Sequence, residues 1–279
     1  REQSFHFNVK AEVLSERTSF HHTFVIVAVK QYDLNEIVPL LQHNAPRSVL
    51  LFVQNGMGHL PLLAKLTNRK RFVGVVEHGA LKQSNTKVCH TGVGIVKIAA
   101  YCRQINEADQ KMMRSWHQRH FPIAFVTDSY QMLAEKLVTN AVINPLTAIF
   151  RVKNGELMRN PYFFQLMRQL FNETVAVLDV EADKLWDHVR NVCQQTGENQ
   201  SSMLRDIRLK RRTEIDAISG YILQLAEEQG KTLPITSFIV SAVKGLESGN
   251  REDEAISLGK KSDSAILRAD RLFCEKKGK

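Results

Sequence analysis

The chain has no apolar run near the roughly 20 residues that a membrane-spanning helix requires. No secretory leader pattern opens it, so a cytoplasmic protein with no membrane association is the expectation. Cysteine is scarce. Cys89, Cys102, Cys193 and Cys274 lie far apart, with no CxxC pair and no histidine at ligand spacing, so free thiols and no metal site are expected. Aromatics make up 8% of residues, and the basic residues are not interleaved with them. No helix-turn-helix glycine pattern appears either, which argues against nucleic acid as a partner. Internal repeats and low-complexity tracts are absent, so a solenoid is not expected.

What remains is ordinary globular material: 279 residues, 43% hydrophobic and 24% charged, enough for two domains with substantial cores. The formal charge of +9 suits an anionic partner such as a phosphorylated cofactor or a carboxylate substrate. Much of the excess lies in Arg208, Lys210, Arg211 and Arg212 and in the tail residues Lys276, Lys277 and Lys279. Runs of this kind read first as solvated faces.

The first half reads as α/β. Phe5 to Val13 alternates loosely and is a candidate strand, while Phe24 to Val29 is a β-branched run of the kind buried on both faces of a parallel sheet. Leu34 to Leu41 has helical spacing. Ser48 to Val53 is a second buried strand, ending at the turn Gln54-Asn55-Gly56-Met57-Gly58. Phe72 to Val76, Lys87 to His90 and Val93 to Ala99 complete the strand candidates. From about Ser129 amphipathic patterns take over: Met132 to Ile143, Tyr162 to Leu178, Lys184 to Cys193, Arg212 to Glu228 and Thr236 to Glu247. The expected architecture is α/β, a Rossmann-type parallel sheet domain over 1–128 followed by an all-helical domain over 129–279. Asn160-Pro161 marks a helix start, Gly230 a helix stop, and Gly220 a tight helix crossing.

Three segments have the residue types for chemistry. Lys136, Asn140 and Asn144 recur every fourth residue, so on a helix they share one face, an ammonium followed by two amides. An ammonium against an apolar wall can act as a proton donor, and amides suit a carboxylate or hydroxyl. The same stripe also fits a plain solvated face. Asn199 and Ser202 precede or begin a helical stretch, where a capping role is equally natural. Glu214 interrupts a segment whose Ile215, Ile218 and Ile222 call for burial, and a carboxylate near Lys136 would keep that amine charged. Asn55 and Lys30 follow the strand runs, at the ends where doubly wound sheets bind ligands. An empty Asn-Gly turn is the plain alternative for the first. His78 reads as a scaffold residue.

Together these segments resemble the ketopantoate reductases. The resemblance runs from Val29-Lys30 to Ala242 through Glu247, through Gln54 to Gly58, Glu77 to Ala80, His90 to Gly94, Lys136 to Leu146, Asn154 to Leu157, Asn199 to Met203 and Thr213 to Gly220, in that order. It implies NADPH-dependent reduction of 2-dehydropantoate to pantoate. Lys136 would be the general acid, Glu214 the carboxylate that organises it, and Asn140, Asn144, Asn199 and Ser202 the substrate contacts. Lys30 and Asn55 would be cofactor contacts, with the active site in a cleft between the domains. The implied partners are NADPH and a small keto acid, with no nucleic acid and no membrane; assembly is left open, with a homodimer as one option.

One departure stands out. The family opens on a strand, a GxGxxG turn and a helix, followed by a basic residue for the 2′-phosphate of NADP. Here Gly56-Met57-Gly58 and Gly92-Val93-Gly94 each lack a third glycine. The expectation is therefore an incomplete first domain, short by about one strand-helix-strand unit, roughly 40 residues. A chain truly without that unit would bind NADPH poorly. The alternatives are a related 2-keto or β-hydroxy acid dehydrogenase using the same lysine, and a non-enzymatic dinucleotide-binding paralogue. The resemblance does not extend into the tail from about Arg251.

Overall fold

The computed structural model describes residues 5–15, 24–67 and 70–249. The tail from Arg251, with Cys274 and the terminal lysines, lies outside them. Two compact units emerge. One holds the residues up to Gln54 together with Gly58–Met132, the other Asn55–Met57 and the residues from Leu133 onward.

The first unit runs β1 (Phe24–Val27), α1 (Leu34–Asn44), β2 (Val49–Phe52), α2 (Leu60–Ala64), β3 (Arg71–Val76), β4 (Gly79–Lys82), β5 (Val88–Gly92), β6 (Val96–Ala100), α3 (Glu107–Met113) and β7 (Ile123–Phe125). Five strands form one sheet in the order β1-β2-β3-β6-β7. β2 is an interior strand between β1 and β3, buried at every position, as its continuous apolar run requires. Phe72, Ile98 and Met113 are fully buried around it, and Trp116 meets Phe24 edge-on, with ring centroids 4.5 Å apart.

The sheet departs from expectation in four respects. It is mixed: β3 and β6 pair antiparallel, whereas β1-β2, β2-β3 and β6-β7 are parallel. The cause is the connection, for the β4–β5 ribbon links β3 to β6 where a parallel pair would need a crossover helix. Second, β1 is not buried on both faces. It is the outermost strand of the sheet among the described residues, and Ile26 is 55% exposed. Third, residues 5–15 form no strand, and Phe5, Phe7, Val9 and Val13 are all exposed. Alternation does not make a strand without a ladder partner. Finally, β4, α3 and β7 are too short to show a period and escape a reading of pattern alone.

The helical unit begins within α4 (Ser129–Phe150) and continues through α5 (Glu156–Arg159), α6 (Pro161–Val175), α7 (Ala182–Gln195), α8 (Ser202–Arg208), a π-helical turn at Asp216–Gly220, α9 (Tyr221–Glu228) and α10 (234–249). Asn160 caps α6 by accepting from the N–H groups of Tyr162 and Phe163, with Pro161 at the first helical position. Gly230 takes φ +64 after α9, the left-handed stop its position suggested. At Gly220 the nearest neighbours of an added methyl group would be atoms of its own turn, the Ile215 carbonyl oxygen at 3.6 Å and Asp216 at 3.7 Å.

Three cysteines, Cys89, Cys102 and Cys193, are free thiols. Among the described residues no helix is long and apolar enough to cross a membrane, and no group of three or more His, Cys, Asp or Glu could hold a metal.

Candidate functional site

Helix α4 is mostly apolar and buried, which makes its polar face conspicuous. Leu137, Val138, Ala141 and Val142 are buried, and so are the two amides, with Asn140 and Asn144 only 8% and 7% exposed. Lys136 is half-buried one turn before Asn140. A buried amide loses its water hydrogen bonds and needs replacements, so two on one face require a polar neighbour. For Asn140 that neighbour is Asn55, whose Oδ1 lies 3.4 Å from the Asn140 Nδ2 donor.

The contact continues. Asn55 donates from Nδ2 to Glu214 Oε2 at 3.1 Å, across 159 residues of sequence. Glu214 is 7% exposed and stands just before the π-helical turn, where its carbonyl accepts from the N–H groups of both Ala217 and Ile218. Gly56 explains why Asn55 can reach so far in. It has φ +80, and a Cβ on it would fall 2.2 Å from the Ala217 carbonyl oxygen. Only glycine lets this loop seat against the π turn. Wide turns of this type recur at functional sites.

The start of α8 is tied to α4 by a residue the sequence did not single out. Ser201 is buried at 5%, caps α8 by accepting from the Leu204 N–H, and receives the Thr147 hydroxyl at 2.7 Å. Its own hydroxyl lies 3.5 Å from the Asn144 carbonyl. Ser202 follows as the first residue of α8, with its side chain exposed. Ser201 is legible in retrospect as a serine before a helix, but nothing in its neighbourhood distinguishes it from Ser202. Asn199 is exposed, and its carbonyl accepts from the Asn154 N–H at 3.1 Å. That segment is held by a glycine contact, since a Cβ on Gly155 would lie 3.0 Å from the Gly197 Cα.

The structure thus joins Asn55, Asn140 and Glu214 by side-chain hydrogen bonds. Lys136 and Asn144 flank Asn140 on one face of α4, and Ser202 stands beside the hydroxyl that bridges to the Asn144 turn. Lys30 belongs to the first unit, half-buried after β1, with its carbonyl accepting from Asp33. Gln54, also missed, fastens the end of β2 to β1 by donating from Nε2 to the carbonyls of Val27 at 2.9 Å and Val29 at 3.0 Å. Its Oε1 is buried with no hydrogen-bond partner. His78 stacks on Phe121 and sits 3.0 Å from His90 between ring nitrogens, within the first unit.

Two family models match this chain. One described as "Ketopantoate reductase PanE/ApbA" covers residues 2–103, and one described as "Ketopantoate reductase PanE/ApbA C terminal" covers residues 128–247. The 2-dehydropantoate 2-reductase of Bacillus subtilis is 40% identical over 240 residues, 84% of this chain and 79% of that protein. The chain belongs to the ketopantoate reductase family. This is a family of oxidoreductases, and its namesake from Escherichia coli O157:H7 is 34% identical over 242 residues, 84% of this chain and 77% of that one. The crystal structure titled as the probable 2-dehydropantoate 2-reductase of Bacillus subtilis superposes with a TM-score of 0.74 at 39% identity, covering 82% of this chain and 79% of that one. The ternary structure of D-mandelate dehydrogenase with NADH and anilino(oxo)acetate reaches a TM-score of 0.78 at 20% identity over 85% of this chain and 80% of that one, a likeness of fold. The ketopantoate reductase fold is therefore an α/β domain with a mixed, mainly parallel sheet, followed by a helical domain.

Proposed function

We propose that the chain reduces 2-dehydropantoate to pantoate with NADPH as hydride source. Residues 1–128 would serve dinucleotide binding, and 129–279 substrate binding and catalysis. The observation that carries this reading is the hydrogen-bonded chain Asn140–Asn55–Glu214, buried at both ends and half-buried at Asn55, one helical turn from Lys136. The names of the curated relatives supply the substrate.

The residues present fit one end of such a cofactor. At the carboxyl ends of β1 and β2 the first unit offers a cation, Lys30, and an orphaned buried acceptor, Gln54 Oε1, suited to phosphate and to an amide or hydroxyl donor. One glycine of each GxG pair packs closely against backbone. Gly56 seats against Ala217, and a Cβ on Gly94 would lie 2.3 Å from the Glu77 carbonyl oxygen.

A bound nicotinamide supplies hydride to the keto carbon. The protein's share is orientation and a proton. Lys136 gives a proton from its ammonium to the ketone oxygen as negative charge develops there, and afterwards regains one from solvent. Asn140, Asn144, Asn199 and Ser202 hold the hydroxyl and carboxylate of the substrate. Glu214, through Asn55, sets the amide of Asn140 and favours a charged Lys136.

Oxidation of NADPH dependent on 2-dehydropantoate tests the reading directly. Lys136→Ala should lower kcat by about 10²–10⁴ while the protein stays folded. An unchanged kcat in that variant removes the lysine from the mechanism. Indifference of the unaltered chain to 2-dehydropantoate, with turnover of another 2-keto acid, would move the assignment to a related dehydrogenase. A preference for NADH would correct the cofactor alone.

A further inference from the structure

The basic run at 208–212 does not simply spread over a helix face. Lys210, Arg211 and Arg212 line a cavity of about 340 Å³ together with Lys244 and Ser248 of α10 and the carboxylates of Asp216 and Glu247. Four cations from two separate segments thus face two acids, and both acids are engaged. Asp216 lies 2.7 Å from Lys244 Nζ and 3.6 Å from Arg212. Glu247 accepts the Thr213 N–H at 2.7 Å. Lys210 holds its place with φ +54, a left-handed turn that ends α8 and sends the chain into the cavity wall.

We infer that this cavity is a binding site for a small anion carrying two or more phosphoryl groups, separate from the Lys136 site. The volume is at the lower end of ligand pockets and exceeds what a single phosphate fills. Arginine offers paired donors to phosphate oxygens, and lysine adds point charge. No aromatic side chain lines the wall, and the surface is concave, so a compact anion fits where an extended nucleic-acid strand, which would seek stacking partners, does not. The anion competes with Asp216 for Arg212 and Lys244. Asp216 opens the π turn whose next residue, Ala217, receives Gly56. The inference does not rest on the reductase reading, since binding is measured without turnover.

Calorimetric titration of the full chain with inorganic pyrophosphate and tripolyphosphate should give one site per chain. The double variant Lys210→Gln/Arg211→Gln should weaken it by about tenfold or more, while a charge-matched control at exposed positions, Lys184→Gln/Arg114→Gln, leaves it unchanged. Asp216→Asn, which removes the competing carboxylate, should tighten binding. Equal losses in the double variant and the control would mean diffuse attraction and overturn the proposal. So would no saturable binding, no tightening in Asp216→Asn, or displacement of the probe by single-stranded DNA at lower concentration than by pyrophosphate itself.

Discussion

Two buried carboxylates, Asp109 in the first unit and Glu214 in the second, are held in opposite ways. Asp109 is fully buried, and its partners are close in sequence or cationic: Arg103 at 2.6 Å, the Asn106 N–H at 3.2 Å, and Lys70 at 3.6 Å. It completes a capping box with Asn106 at the start of α3. Burial alone would raise its pKa. The Arg103 hydrogen bond, the Asn106 N–H and the charges of Arg103 and Lys70 outweigh that and hold it below the usual range. Glu214 accepts from the amide of Asn55, 159 residues away, whose own carbonyl oxygen takes the Asn140 donor. Removing a buried carboxylate from local cations leaves those cations uncompensated and costs stability. A carboxylate that receives an amide from a distant segment fixes the orientation of that amide, which is what a binding site needs.

Substitution puts this contrast to the test. Asp109→Asn should cost roughly 3 kcal/mol, the lower end for a broken buried pair, because it leaves the half-buried Arg103 facing a neutral amide. Chemical denaturation should show the loss, with kcat per folded molecule unchanged. A depressed carboxylate pKa contributes stability above the unfolded value near 3.9, and that contribution fades as pH falls through the folded value. The variant should therefore lose less stability than the parent in this acid range. If kcat falls along with stability, the division between structural and functional acids fails.

A second acid-sensitive group precedes Asp109 on the pH scale. His59 is 1% exposed, neither ring nitrogen has a hydrogen-bond partner, and burial pushes its pKa down from 6.5 to about 4. The folded state therefore resists a proton that the unfolded chain takes up. Stability should decline as pH drops from about 6.5 to about 4, by roughly 3 kcal/mol in all, and His59→Leu should flatten that interval. An unaltered slope in the variant would assign it elsewhere.

On the other side of the contrast, Glu214→Gln should leave the unfolding free energy within about 1 kcal/mol of the parent while lowering kcat/KM about 10- to 100-fold. A loss of stability as large as that of Asp109→Asn, with turnover intact, would show the two acids to be alike. The sequence carried half of this arrangement. The four-residue spacing of Lys136, Asn140 and Asn144 was legible because helical geometry alone puts them on one face. The junction of Asn55 with Glu214 was not, since no periodicity links residues 159 apart, and it depends on Gly56 approaching a π turn that local pattern does not announce. The same limit explains the sheet. β2 is interior and reads as such, whereas the exposure of Ile26 on β1 and the antiparallel β3–β6 pair depend on neighbours that a strand's own residues do not specify.

The smallest effect expected sharpens the distinction between holding a fold and holding a substrate. Ser201 caps α8 and receives the Thr147 hydroxyl, so Ser201→Ala should destabilise by about 1 kcal/mol, the ordinary worth of a cap. Thr147 can still donate to the carbonyls of Ile143 and Asn144, so it is not orphaned. The functional consequence concerns the registry of Ser202 with the Asn144 turn. If those residues hold the substrate, KM should rise about threefold with kcat nearly unchanged, and Ser201→Thr, which keeps the hydroxyl, should restore it. Lost stability with an unmoved KM would make Ser201 a helix cap and nothing more. The placement of Ser202 and Asn144 as joint substrate contacts would then have to stand on their own variants.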